Sequence, residues 1–248
     1  MYPTKLIGLY FYLCINHKNN LPDNLISNVK IFADDTSIYS IVNNPQSSAN
    51  DLNSDLSKIN QWAHEWKMSF NPDASKQAVE VLFSRKLLAT FHPSITFNHS
   101  PVMLIPSHKH LGLILDEKLN FNNHLKEKIS KANVGIGMIK RLSQTLPRKS
   151  LLSIYKCFVR SYLDYCDIIY DKPNNEIFKS KLESVQYNAA LAITGAIRGT
   201  SMQKLLDELG LELLSERRWY RKLCFFFRIV KGMAPVYLNH IIQHHTPR

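Results

Sequence analysis

The 248-residue chain carries 31 Lys+Arg against 20 Asp+Glu, a formal charge of +11, with 45% hydrophobic and 10% aromatic residues and only 8 glycines. That composition excludes a disordered, collagen-like or glycine-rich chain and suffices for one large domain or two modest ones. Residues 1–117 hold 9 Lys+Arg and 10 Asp+Glu, whereas residues 118–248 hold 22 and 10; this asymmetry points to a polyanionic partner, nucleic acid before membrane, with a basic surface serving solubility as the alternative.

Residues 6–15 (LIGLYFYLCI) read as a buried helix or strand. The run is too short to span a bilayer, and residues 16–20 (NHKNN) offer no small-residue cleavage site, so neither secretion nor a membrane partner is expected. Next, Ile31-Phe32 and Ile38-Tyr39, both strand-forming pairs, flank Asp34 and Asp35. A hairpin there would lift two carboxylates onto its turn, where hard oxygen ligands suit a divalent cation. Carboxylates that hold two such cations support nucleotidyl transfer; the plain alternative is a solvated turn. Residues 43–48 read as a loop. A helix follows, capped by Asn50 or Asp51, with apolar Leu52, Leu56, Ile59, Trp62 and Trp66 at spacings of three and four, and residues 69–72 end it. Residues 78–84 alternate as a strand. Residues 95–97 and 102–104 flank a turn at 98–101, and residues 111–115 form a further strand.

Beyond Lys118 the period becomes helical. Residues 121–142 place Leu125, Ile129, Ala132, Ile136 and Ile139 on one face. Residues 150–168, 176–197 and 216–230 continue the pattern, punctuated by Pro147, Pro173 and the glycines at 195 and 199. No Cys-x-x-Cys pair or zinc spacing occurs. Besides Cys14, the cysteines Cys157, Cys166 and Cys224 lie among Tyr, Phe and Leu, which predicts buried free thiols in a reducing compartment. Lys140, Arg141, Arg148, Lys149, Lys156 and Arg160 either line a duplex groove by phosphate contact or form the outer face of a helical bundle. Trp219, Tyr220, Phe225, Phe226 and Phe227 lie among arginines and lysines. That mixture suits stacking on single strands, although the buried stripe of an amphipathic helix is the preferred reading.

Several of these segments, in this order, resemble the C-terminal part of reverse transcriptases from non-LTR retrotransposons of the Jockey-like kind. Residues 8–16 resemble the tail of the motif just upstream of the catalytic hairpin. Phe32-Ala33-Asp34-Asp35 resembles the catalytic aromatic-x-Asp-Asp hairpin itself. Residues 66–71 (WKMSFN), with Lys76 and Val81-Leu82-Phe83-Ser84, resemble the next motif, whose lysine is implicated in protonating the pyrophosphate leaving group. Residues 108–115 (HKHLGLIL), which hold Lys109, His110 and Gly112, are similar to the hairpin that holds the primer terminus. Residues 147–170, with Tyr162-Leu163-Asp164-Tyr165-Cys166, resemble the helical region after the palm.

The resemblance implies an α+β fold: an incomplete polymerase palm of hairpins and helices over residues 1–117, then an all-α, basic, thumb-like region over residues 118–248. It implies RNA-directed DNA synthesis, with Mg²⁺ on Asp34 and Asp35, Lys76 as acid, and an RNA template, a DNA primer and dNTP as partners. Lys109, His110, Gly112, Lys140, Arg141, Arg148 and Lys149 would contact nucleic acid, in an intracellular protein of nucleus or cytoplasm. The family's upstream aspartate, fingers and nucleotide-contacting segment have no match in these residues, and Asp23 is the sole acid before Asp34. The expectation is therefore a truncated copy that is inactive by itself and holds Mg²⁺ weakly or not at all. The alternatives are a non-catalytic nucleic-acid-binding module and a non-functional transposon relic.

Overall fold

The computed structural model describes residues 5–12, 24–32, 35–67, 78–84, 92–172 and 174–241. Asp34, Lys76, Cys14 and Pro173 lie outside the described residues, as do residues 68–71 of the segment that follows Trp66. The chain forms two compact units, Met1–His124 and Leu125–Arg248. The division falls a few residues after Lys118, and Asp116 organises the turn just before it. Its carboxylate accepts from the backbone N–H of Lys118, Asn120 and Phe121 at 3.2, 2.9 and 2.7 Å.

The strands of the first unit are β1 (Lys5–Tyr12), β2 (Asn28–Phe32), β3 (Asp35–Ile41), β4 (Ala78–Ser84), β5 (Thr96–Phe97), β6 (Ser100–Pro101), β7 (Met103–Leu104), β8 (Ser107–His110) and β9 (Leu113–Asp116). A five-stranded sheet runs in the order β2-β3-β1-β4-β7; it is antiparallel except for the parallel β4–β7 pair. The helix α1 (Pro45–Glu65) covers one face. Leu52, Leu56 and Ile59 pack there with Ile38, Ala78, Ile95 and Phe97. Alternation along β4 sends Val81 and Phe83 to the opposite face, where Ile105 and Leu115 meet them. The β8–β9 hairpin is tied to this sheet by the backbone: Ser84 N–H donates to the Glu117 carbonyl at 2.8 Å, and Ile105 N–H to that of Glu80 at 2.9 Å.

Several local expectations are corrected by turn and cap chemistry. Residues 45–48 belong to α1, not to a loop. Asn44 is the N-cap, its side chain accepting from the N–H of Gln46 and Ser47, and Pro45 begins the helix with its φ already set. The helix ends at Glu65, followed by left-handed Lys67, and Trp66 is exposed. The turn expected over 98–101 is tighter: Thr96 pairs with Pro101 and Phe97 with Ser100, so that Asn98 and His99, both at positive φ, make a two-residue loop. Met103 and Leu104 leave that hairpin for β4. Leu111 and Gly112 likewise form the β8–β9 turn at φ 46 and 79 rather than opening a strand.

In the second unit the described residues form helices and no strand. These are α2 (Asn122–Leu142), which begins in the first unit, α3 (Arg148–Tyr155), α4 (Ser161–Asp164), α5 (Asp167–Tyr170), α6 (Glu176–Thr194), α7 (Met202–Leu209) and α8 (Leu214–Val230). The continuous helix expected over 150–168 is interrupted twice. A π-helical turn spans Lys156–Arg160, and Cys166 adopts a left-handed φ of 59 that splits α4 from α5. The core gathers Ile136, Ile139, Leu151, Tyr155, Val159, Leu163, Leu182 and Ala189. Tyr155 donates to Gln186 Oε1, and Gln186 donates onward to the Glu212 carbonyl at 2.8 Å. Helix α7 was not foreseen; it starts on a Ser201 cap and stops at left-handed Gly210, with Leu205, Leu206 and Leu209 buried. The thiols of Cys157, Cys166 and Cys224 are free, but Cys157 is exposed and the other two are half-buried. Cys157 lies two positions from both Tyr155 and Val159, off the buried stripe of Leu151, Tyr155, Val159 and Leu163. No helix among the described residues is long and apolar enough to cross a membrane.

Candidate functional site

Of the acidic pair, Asp35 is described, and it opens β3 opposite the end of β2. Phe32 pairs with Asp35 across the hairpin. Asp35 is half-buried and also pairs with Tyr12 of β1. Strand alternation puts Asp35 and Ser37 on the face opposite Ile38, which looks into the α1 core. The β8–β9 hairpin lies on that same side. Ser37 Oγ and His110 Nε2 are 3.3 Å apart.

The imidazole of His110 responds to both surroundings. Burial pulls its pKa below the usual histidine value, and the Asp35 carboxylate opposes that shift. Two positions back on the strand, His108 is pulled down to about 4, by burial first and by His110 second. The structure thus joins two segments that the sequence suggested separately, Asp35 and His110, seventy-odd positions apart. Lys109 points the other way along the strand alternation and is exposed, while Gly112 serves the turn. Ser37 and His108 belong to this face and were not singled out as site residues. The x-x-His-x-His alternation in a short strand is the signal that could have found His108.

The carboxylates of Asp34 and Asp35 are hard oxygen donors, the kind that suits Mg²⁺, but two carboxylates are fewer ligands than a near-octahedral ion takes. Among the described residues, no group of three or more His, Cys, Asp or Glu side chains could hold a metal ion.

A second cluster surrounds the connection from α2 to α3. Lys140 and Arg141 occupy the last turn of α2, and Arg148 and Lys149 the first turn of α3; all four are exposed. Cations complement the negative end of α2 but oppose the positive end of α3. Arg148 offsets this with an ion pair to Glu208 and a hydrogen bond to the Thr194 carbonyl at 3.0 Å. Lys156 and Arg160 do not extend the cluster: Arg160 turns to Asp164 at 3.8 Å.

Helix α8 is the largest departure from expectation. Its aromatics were read as a buried stripe, yet Trp219, Tyr220, Phe226 and Phe227 are exposed, and Arg218 is only 3% exposed. The helix turns four of its five cations inward onto the carboxylates of α4, α5 and the residue after them. Arg217 Nε lies 3.1 Å from Asp164, Arg221 Nε 3.2 Å from Asp167, and Lys222 Nζ 2.6 Å from Asp171. Arg218 also donates to the Leu163 carbonyl at 3.0 Å, which Tyr170 shares at 2.6 Å. Burial pushes the Tyr170 phenol up to about 12. Alternating charge signs between the two segments were visible in the sequence, but their pairing was not.

Comparison with known proteins adds the following. The chain is 27% identical over 149 residues to an RNA-directed DNA polymerase from the mobile element jockey of Drosophila funebris, a match covering 57% of this chain and 15% of that protein. It is 23% identical over 208 residues to a probable RNA-directed DNA polymerase from transposon X-element of Drosophila melanogaster, covering 80% and 22%. It is 26% identical over 213 residues to a retrovirus-related Pol polyprotein from type-1 retrotransposable element R1 of Bradysia coprophila, covering 83% and 20%. The chain therefore spans about a fifth of the length of these relatives. No family model and no solved structure matches it. In sequence, the chain is similar to the RNA-directed DNA polymerases of non-LTR retrotransposons.

Proposed function

We propose, from this likeness to retrotransposon polymerases, that the chain is the part of an RNA-directed DNA polymerase that carries the paired catalytic aspartates and holds the primer end. The first unit is then part of the palm, and the second a basic, thumb-like region that lies along template and primer. The observation that carries this reading is the common sheet face of Asp35 and His110, since it puts the aspartate hairpin beside the hairpin similar to the one that grips a primer. In the parent reaction a primer 3′-hydroxyl attacks the α-phosphate of a dNTP and pyrophosphate leaves. In the parent polymerase Asp34 and Asp35 would hold Mg²⁺, which would supply charge neutralisation and alignment. Lys76 donates the proton to the leaving group. His110, neutral at pH 7, accepts or donates one hydrogen bond near the primer end without adding charge beside the carboxylates. Lys140, Arg141, Arg148 and Lys149 contact phosphates and carry no sequence information.

The 248 residues by themselves do not extend a primer, because two carboxylates position the metal and nucleotide insufficiently. The test is primer extension on poly(rA)/oligo(dT) with Mg²⁺ or Mn²⁺, using the chain alone and the chain substituted for the corresponding segment of the jockey polymerase. The isolated chain is expected to be silent. The chimaera is expected to extend, and to lose roughly a thousandfold in rate with Asp35→Asn, since metal-borne charge stabilisation is worth several kcal/mol. Extension by the isolated chain that survives Asp34→Ala and Asp35→Ala, or a chimaera indifferent to Asp35→Asn, contradicts the assignment.

A further inference from the structure

Helix α8 is built inside out. Arg217, Arg218, Arg221 and Lys222 are committed to Asp164, Asp167 and Asp171 on its inner side. Its outer side carries Trp219, Tyr220, Leu223, Phe226, Phe227 and Val230, with Trp219 61% and Tyr220 69% exposed. These positions recur at spacings of three and four, a mean of about 3.5 residues, which is the seam by which one helix packs against another. No Lys or Arg falls within the stripe. The exposed cations beside it, Arg228 and Lys231, sit at the C-terminal end, with Lys231 Nζ 5.8 Å from the centre of the Phe227 ring. Around Trp219 and Tyr220 the cations are committed to aspartates, so most of the outer face offers the phosphates of a polyanion no uncommitted partner.

We propose that this face pairs with a second copy of the chain, helix against helix, antiparallel about Leu223. In that register Trp219 meets Phe227, Tyr220 meets Phe226, and Leu223 meets its own copy on the two-fold axis. Glu216, exposed at one end, comes beside Val230 and Lys231 of the other copy. The charges therefore complement each other at both ends. A parallel pair would put Glu216 against Glu216 and Lys231 against Lys231, which is repulsive. The self-complementary register meets the condition of a closed two-fold interface, in which one surface serves both copies.

The area is adequate. Each large side chain of the stripe, with exposed Met233 beside Leu223 and Phe227, leaves on the order of 100 Å² uncovered. The total approaches the roughly 800 Å² per partner of a standard interface. An apolar patch of that size is unusual on a lone copy.

The test is sedimentation of the full chain across the micromolar range. A concentration-dependent dimer is expected, with Leu223→Glu sedimenting as a monomer whose helical circular dichroism is unchanged, because Leu223 is exposed. Glu216→Lys and Lys231→Glu are each expected to weaken the dimer roughly tenfold, since the pair occurs twice per interface. Combining the two restores it. A wild-type monomer throughout the range, a dimer indifferent to Leu223→Glu, or open-ended aggregates in place of a dimer overturns the proposal. None of these readouts depends on polymerase activity.

Discussion

At the scale of single residues, folding changes the protonation chemistry of the hairpin histidines. The pKa of His108 is pulled down to about 4, so the folded state holds it neutral where the unfolded chain, at about 6.5, begins to protonate. Between those values the unfolded state binds more protons, and stability rises with pH. The contribution is complete above pH 6.5 and lost as pH falls toward 4. Urea midpoints should therefore drop across that window. His108→Gln should flatten the dependence, and an unchanged slope would show that the imidazole titrates as it does in water. Asp55 serves as an anchor. Fully buried on α1, its carboxylate accepts from the N–H groups of Ile26 and Ser27 at 3.0 and 2.7 Å and leads the chain into β2.

At the scale of elements, α2 meets the π-helical turn at a glycine. A Cβ added to Gly135 would lie 2.8 Å from the Phe158 carbonyl oxygen and 2.8 Å from Val159 Cγ2. Gly137, two positions on, meets nothing nearer than Arg141 at 3.9 Å. Alanine is favoured over glycine in a helix by about 1 kcal/mol, whereas overpacking costs about 1–3 kcal/mol. The clash involves backbone at Gly135, which has little room to yield. Gly135→Ala should thus lower Tm and Gly137→Ala should raise it, as thermal unfolding of the two variants would reveal. Equal shifts would mean that the two helices separate easily at this crossing. The inward cations of α8 are a similar matter of fit: truncating Arg218 would remove a buried donor from the Leu163 carbonyl and leave Lys222 as the cation on Asp171.

At the scale of the whole molecule, charge is the dominant feature. Twelve net positive charges over residues 118–248 face one net negative over residues 1–117. Four of the cations gather at the α2–α3 connection. If those four meet phosphates, log K for a duplex should fall with log salt at a slope of roughly −3 to −4. Replacing Lys140, Arg141, Arg148 and Lys149 by Gln should weaken binding alike for every sequence and remove most of that slope. A salt titration of labelled duplex with both proteins decides the matter; a slope unaltered by the four changes would move the binding surface elsewhere.

Much of this architecture was legible in the sequence because it depends on local rules. Alternation over 78–84, the apolar spacing from Leu52 to Ile59, and the period of 121–142 each reflect one face turned to a core, and that pattern survives in any context. The hairpin around Asp34 and Asp35 was legible for the same reason. Starts and ends of elements were less so, because Asn44 and Ser201 act through one or two side-chain hydrogen bonds that many polar residues could supply. Only the tertiary structure decided which face of α8 is inside. Hydrophobic period alone sends its aromatics inward, but three aspartates from α4 to Asp171 stand opposite its arginines, and several charge-assisted hydrogen bonds made together outweigh the burial of rings. The meeting of Asp35 with Ser37 and His110 is likewise a tertiary fact. It arises because the β8–β9 hairpin is returned by backbone hydrogen bonds to the sheet face that α1 leaves open, and no local pattern encodes a contact across so long a stretch of chain.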